Sequence, residues 1–340
     1  TLFRSTLVQN IQNTTNTTNV TNLTSTRSAL TVYGDVGDSL VLDGSLVWRS
    51  SADTLLDGVK YRGADLYSGS TFVGTLRLSE NLQVLTENPN QTYADQWLVG
   101  SDLSDTTSGG GGNDYLVQSL SADTLNGGDG IDTVDYSTQN ANVIVNLGST
   151  SFVSNNTTSG TYTVVAGSAE DGFGKVDTLI SIENVRTGAG NDVVIGSSTD
   201  NRIVTNAGRD SISEGDGNDT VFAGSGDDVV LGGNGNDSID AGDGNDSIDA
   251  GAGNDTVRGG AGNDTLVGGS GTDWLDYSDQ SNGVIVNLSS STYQSVLSGT
   301  ADDGLDGIDS ISGFEGVIGS AGRDTLLGGG GMTLDGGVGS

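Results

Sequence analysis

The sequence predicts an all-β fold: a stack of flattened two-sheet coils of parallel strands, interrupted by two inserts and preceded by a small antiparallel β domain. Three observations predict it. From Thr187 to Asp276 the chain divides without a gap into ten units of nine residues. Aspartate and a single aliphatic position are locked to that period. Residues 30–87 have another texture, short alternating runs such as SLVLDG and TLRLSENLQV punctuated by Gly and Asp, as antiparallel strands require.

Charge narrows the functions before any element is placed. The 340 residues include 12 basic and 45 acidic side chains, a formal charge of −33, with no histidine and no cysteine. Histidine-based and thiolate triads, imidazole and thiolate metal centres and disulfides are therefore excluded. So strong a negative charge repels phosphate backbones and anionic headgroups, which argues against nucleic acid as a partner. No apolar run approaches the roughly 18 residues of a membrane helix, so membrane insertion is not expected. Residues 1–99 hold nine acids and six bases, whereas the other 241 hold 36 acids and six bases, a net of −30. Only Glu80, Glu87, Glu170, Glu183, Glu214 and Glu315 are glutamates. A solubilising surface would spread acid along the chain and use Glu freely; aspartate concentrated in one region points to ligands.

In chain order, residues 1–29 read as a polar Asn/Thr-rich linker. Asn13, Asn16, Asn19 and Asn22 each begin an N-x-Thr sequon that could carry a glycan. Thr1–Asn10 lacks the apolar core of a signal peptide, and Thr1 suggests a processed chain or a piece of something longer. Residues 30–99 form the small antiparallel domain, with Trp48, Tyr61 and Tyr67 expected in its core. A first array of nonads occupies 100–135, an insert 136–186, the long array 187–276, a second insert 277–318, and a third array starts at 319 and runs to 340. The inserts resemble each other: YSTQNANVIVNL (Tyr136–Leu147) matches YSDQSNGVIVNL (Tyr277–Leu288), and DTLISIENV (Asp177–Val185) parallels DSISGFEGV (Asp309–Val317). Each reads as a strand leaving the stack, a polar loop and a strand rejoining it. Tyr136 and Tyr277 are expected to pack over the last repeat, the other reading being a carbohydrate subsite.

Each nonad splits into a six-residue glycine-rich turn and a three-residue strand. Position four is glycine in nine of ten units, Thr199 being the exception, and position six is aspartate in nine of ten, Asn201 being the exception. Position eight is aliphatic in all ten, and eight of these are β-branched, which suits strands. Two turn–strand units make one 18-residue coil, and coils stack as parallel strands about 4.8 Å apart. Two aliphatic side chains per coil bury little apolar surface against the entropy of ordering 18 residues. Stacking also aligns position-six carboxylates of units n and n+2, and like charges about 5 Å apart repel by roughly 0.8 kcal/mol even in water. A cation between coils reverses that sign. Only carboxylate and carbonyl oxygens are on offer, the ligand set of calcium rather than of a transition metal. Residues 187–276 carry 17 acids and three arginines, net −14, and ten nonads give at most eight sandwiched sites (10 − 2), worth +16.

These nonads resemble the repeats-in-toxin (RTX) haemolysin-type calcium-binding repeats, GGxGxDxUx. The resemblance implies a right-handed parallel β-roll binding several Ca²⁺ through position-six carboxylates and turn carbonyls. By position the carboxylates are Asp192, Asp210, Asp219, Asp228, Asp237, Asp246, Asp255, Asp264 and Asp273, with Asp114, Asp132 and Asp324 in the shorter arrays. The turn glycines are Gly215, Gly217, Gly224, Gly226, Gly233, Gly235, Gly242, Gly244, Gly251, Gly253, Gly260 and Gly262. The pattern departs from the motif at Ser197, Thr199, Asn201 and Asn206, and around Asp105 and Asp123, whose units lack the glycine framework. In Gly328–Gly336 the strand is a residue short, with Thr333 in the aspartate place.

The resemblance further implies secretion as an unfolded chain by a type I system, with folding outside the cell. The leading expectation is a non-enzymatic part of an extracellular or cell-surface bacterial protein, adhesin-like or S-layer-like. The family's C-terminal secretion signal would then lie beyond Ser340. The alternative is the calcium-binding, secretion-assisting module of a secreted polysaccharide lyase, epimerase or protease. Surface polysaccharide and self-association through open strand edges are the other partners considered.

Overall fold

The computed structural model describes strands within residues 31–79 (31–32, 40–41, 46–56, 59–68 and 71–79), and then residues 97–99, 104, 106–118, 121–154, 162–293, 296–304 and 307–338. Every regular element among them is a β-strand. The linker and sequons of residues 1–29, Asp105, and the side chains of Trp48, Tyr61 and Tyr67 lie outside what is described. The chain forms two compact units: Thr1–Val134 with Lys175–Ile182, and Asp135–Gly174 with Glu183–Ser340.

The first unit contains the small antiparallel sheet, Leu46–Leu56, Val59–Ser68 and Thr71–Ser79 in that order, with register shifts at Ser51/Thr54 and Leu66/Tyr67. It also contains the first parallel coils. Trp97–Val99 pairs in parallel with Tyr115–Val117, and Thr106–Gly111 with Thr124–Asp129, which in turn pairs with Val176–Ile180. The inward side chains Leu98, Leu116 and Leu125 are buried.

The second unit holds the long array. Alternate nonads feed opposite sheets, so the strands of one sheet are 18 residues apart. In one, Ile203, Val221, Ile239, Val257 and Leu275 pair in register; in the other, Val194, Ile212, Val230, Ile248 and Leu266 do so. All ten are the position-eight aliphatics, and all are at most 1 % exposed. The core is this double column. Strand Ser238–Asp243 shows the alternation, with Ile239 and Ala241 inward and their neighbours partly or fully exposed. Position one of each nonad thus faces inward with positions six and eight.

The inserts join the sheet instead of leaving it. Ile285–Asn287 pairs antiparallel with Thr300–Asp302, which pairs antiparallel with Ile308–Ser312, and this last strand continues the array in parallel with Thr265–Val267. Ile144–Asn146 likewise runs antiparallel to Ser168–Glu170 and parallel to Val193–Ile195. The sequence VIVN explains this: Val143, Ile144 and Val145 are fully buried, as are Val284 and Val286 in the second insert. Each motif ends on a buried asparagine, Asn146 or Asn287, that closes the same turn by donating to the carbonyl of Thr150 or Ser291 and accepting from the amide of Gly148 or Ser289. Tyr136 and Tyr277 are 0 % exposed, so they pack and offer no carbohydrate platform. The final strand, Thr333–Asp335, is exposed throughout, in keeping with its shortened repeat.

Candidate metal centre

The turn geometry follows from glycine at positions two and four. Gly235 has φ 142° and Gly253 φ 152°, backbone that L side chains rarely adopt, and a Cβ on either would enter the carbonyl oxygen of Gly217 or Gly235 in the preceding coil. The carbonyls at these positions therefore point along the stack, each against the glycine 18 residues later. The same holds for Gly215 against Gly233, Gly224 against Gly242 and Gly226 against Gly244.

Position six builds a column inside each edge of the roll. One oxygen of each aspartate accepts the amide of the aspartate one coil earlier: Asp192 N–H to Asp210, Asp210 to Asp228, Asp228 to Asp246 and Asp246 to Asp264, at 2.7–2.8 Å. On the opposite edge Asp219 donates to Asp237, Asp237 to Asp255 and Asp255 to Asp273, at 2.8–3.0 Å. In the first unit Asp114 N–H donates to Asp132, and in the third array Val284 N–H donates to Asp324. The second carboxylate oxygen has another fate. In Asp192, Asp210, Asp219, Asp228, Asp237, Asp246, Asp255, Asp264, Asp273 and Asp324 it is buried with no hydrogen-bond partner. Such an oxygen costs several kcal/mol unless something replaces its water. Arginine does not. Arg209 pairs with Asp227, and Arg258 with Asp240, Asp276 and Asp279, none of them a position-six carboxylate. A hard cation suits the rest: inward carboxylate oxygens in two columns, with carbonyl-rich turns beside them.

The RTX calcium-binding nonapeptide repeat family matches the chain over residues 99–134, 181–213, 215–248, 240–275, 249–282 and 317–331. These segments of the chain are RTX-type calcium-binding repeats. A search of curated proteins finds no match. The RTX repeats bind calcium, and their multiplicity here provides for several Ca²⁺.

The departures from the RTX motif have local consequences. Asn201 is neutral and already committed: its oxygen accepts the amide of Ser197 at 2.7 Å and its nitrogen donates to the carbonyl of Glu183 at 2.6 Å. Asn206 donates to the carbonyl of Thr187. Asp123 N–H donates to Asp177 at 2.8 Å, so the column is extended there by a residue outside the nonads. The inserts end the same way, with Asp264 N–H donating to Asp309 and Asp273 N–H to Glu315. Asp309 also accepts the Tyr277 hydroxyl at 3.1 Å.

Three features escaped the motif. The first is this substitution by Asp177, Asp309 and Glu315, hinted at by the matching segments that close the inserts. The second is a ladder at position five, running opposite in sense to the aspartate column: Asn236 N–H donates to Asn218, Asn254 to Asn236 and Thr272 to Asn254. The third is Glu214, the residue at position one of its nonad, fully buried.

Electrostatics sets a pH dependence. In the ion-free roll, burial first and neighbouring carboxylates after it push Asp210 and Asp246 up to about 7, and Asp219, Asp255 and Asp264 up to about 6. Unfolded aspartate titrates near 3.9. Raised carboxylates make the ion-free fold most stable below about pH 4 and cost it stability as pH rises through 6 to 7. Calcium needs the ionised form, so its affinity falls as pH drops through the same window. Circular dichroism in chelator is expected to show more β-structure at pH 5 than at pH 7.5, and the calcium-induced gain to be larger at pH 7.5. The reverse order in chelator would contradict this account.

Proposed function

We propose that this chain is a calcium-locked structural region of a secreted or cell-surface bacterial protein, adhesive rather than catalytic, that folds on meeting extracellular calcium. One observation carries the reading: two columns of buried carboxylates, each with an oxygen that no protein group satisfies. A fold built this way discriminates between compartments. Where calcium is scarce, 36 acids against six bases beyond residue 99 repel one another and keep the chain extended. Where calcium is millimolar, ions bind the folded form alone and draw the equilibrium toward it. That behaviour supports export as an unfolded chain and assembly outside. The absence of cysteine supports the same route, since nothing in the fold waits for oxidation.

Calcium titration followed by circular dichroism, with magnesium as control, tests the proposal. The β-signal is expected to appear with a midpoint of roughly 0.1–1 mM calcium, the range of extracellular modules, and hardly at all with magnesium. Replacing one inward ligand, Asp237→Asn, is expected to raise the midpoint about tenfold, equivalent to about 1.4 kcal/mol. Asp249→Asn removes the same charge from the exposed outer face and is expected to leave the midpoint within twofold. Equal effects of the two substitutions would reduce the aspartates to a generic charge effect.

A further inference from the structure

Position one of each nonad has a fixed neighbour. A Cβ added at Gly232, Gly259 or Gly319 would sit 3.0, 2.5 or 2.6 Å from the inward oxygen of Asp237, Asp264 or Asp324, the aspartate of the same repeat. Whatever side chain stands at position one therefore lies beside that oxygen. In the long array this place is taken by glycine, by Ala223, Ala241 and Ala250, or by Thr187 and Thr205, whose hydroxyls donate to the carbonyls of Thr205 and Ala223 one coil later. The remaining repeat has Glu214.

Glu214 brings a third carboxylate into the column. Oxygen atoms of Glu214, Asp219 and Asp237 all lie within 4.8 Å of one another, and the three residues are 0, 2 and 2 % exposed. Both Glu214 oxygens are buried and hydrogen-bonded to nothing, and the inward oxygens of Asp219 and Asp237 are in the same condition. No ion pair among the described residues reaches them. In the same column one coil earlier stands Asn201, whose amide is neutral and already bonded within its own coil and to Glu183. The column thus lacks a negative charge at Asn201 and gains one at Glu214.

Resting on the calcium reading above, we propose that Glu214, Asp219 and Asp237 form a three-carboxylate cation site unlike the other repeat sites, which takes the first and tightest calcium of the array. Ligand charge count is a principal control on calcium affinity, and here one site has a carboxylate more than its neighbours. A proton is the competing occupant, since burial and the neighbouring aspartates push Glu214 up to about 9. A proton satisfies one oxygen; a divalent ion satisfies oxygens from all three residues. Filling this site fixes the coils of Asp219 and Asp237 at the standard spacing, and the regular repeats from Gly232 onward then stack on a formed edge.

Isothermal titration of the intact chain with Ca²⁺, alongside Glu214→Gln and Glu214→Ala, separates these occupants. The unsubstituted chain is expected to show one calcium bound at least tenfold tighter than the rest. Both substitutions are expected to abolish that step while leaving the weaker sites and the final β-signal in place. Glu214→Ala installs the residue already found at three other position-one sites, so the fold tolerates it. Glu214→Gln keeps the shape of a protonated glutamate, so a purely packing role would leave its titration unchanged. An unchanged tight step in either variant, or no distinct tight step in the unsubstituted chain, overturns the proposal while the repeat sites stand. Absence of any calcium binding overturns both.

Discussion

Chelating calcium is expected to remove most of the β-signal of the long array at neutral pH, and restoring calcium to return it. The size of the effect follows from linkage. A site filled at tenfold its Kd stabilises the folded form by about 1.4 kcal/mol, so eight sandwiched sites contribute about 11 kcal/mol, comparable to the whole stability of an ordinary domain. The apolar core offers no reserve of that kind, because each coil adds only two position-eight aliphatics to the double column. The hydrogen bonds of Asp210, Asp228 and Asp246 to the preceding amides use one oxygen each and leave the other buried without a partner. Without the ion that oxygen is ionised and desolvated, or protonated at the cost of its charge. Fluorescence of Trp274, whose strand pairs in parallel with Thr256–Ala261, is expected to report the same transition from within the array. A chain equally folded in chelator at pH 7.5 would contradict the expectation.

The second large effect belongs to a glycine. Gly253→Ala is expected to lower the melting temperature in saturating calcium by about 6–12 °C, from a cost of about 3 kcal/mol. Two causes add. The backbone at Gly253 has φ 152°, which alanine adopts only under strain, and the new methyl would meet the carbonyl of Gly235. Coils cannot move apart to admit it without breaking the Asp237 N–H to Asp255 bond and the asparagine ladder at Asn254. Gly330→Ala, where a Cβ meets nothing within 4 Å, serves as the control and is expected to shift melting by less than about 2 °C. Differential scanning calorimetry with calcium present measures both. Equal melting temperatures would show that the turns are not packed carbonyl against glycine.

Much of the fold was legible because one nonad repeats its physics ten times. An aliphatic at position eight, aspartate at six and glycine at four read as strand, ligand and turn before any coordinate, and the buried columns at Ile239 and Asp237 agree. The interior direction of position one was hidden because its usual occupants, glycine and alanine, reveal nothing about where a longer side chain would go. Glu214 passed as one more acid for that reason. From sequence alone the inserts read as excursions because their pairing is long-range: Ile285–Asn287 meets Thr300–Asp302 antiparallel, and no local signal in VIVN states which partner it takes. Their identical asparagine-closed turns at Asn146 and Asn287 were present in the sequence as a shared motif, but their chemistry shows only in three dimensions. Asp309 and Glu315 carry the aspartate column onward after an interruption, which nine-residue spacing cannot register.

Anomalous diffraction from crystals grown in millimolar calcium tests the central claim most directly. Peaks are expected between successive coils on both edges of the long array, within about 2.6 Å of the inward oxygens of Asp219, Asp228, Asp237, Asp246 and Asp255. Well-ordered coils with only water against those oxygens would contradict it.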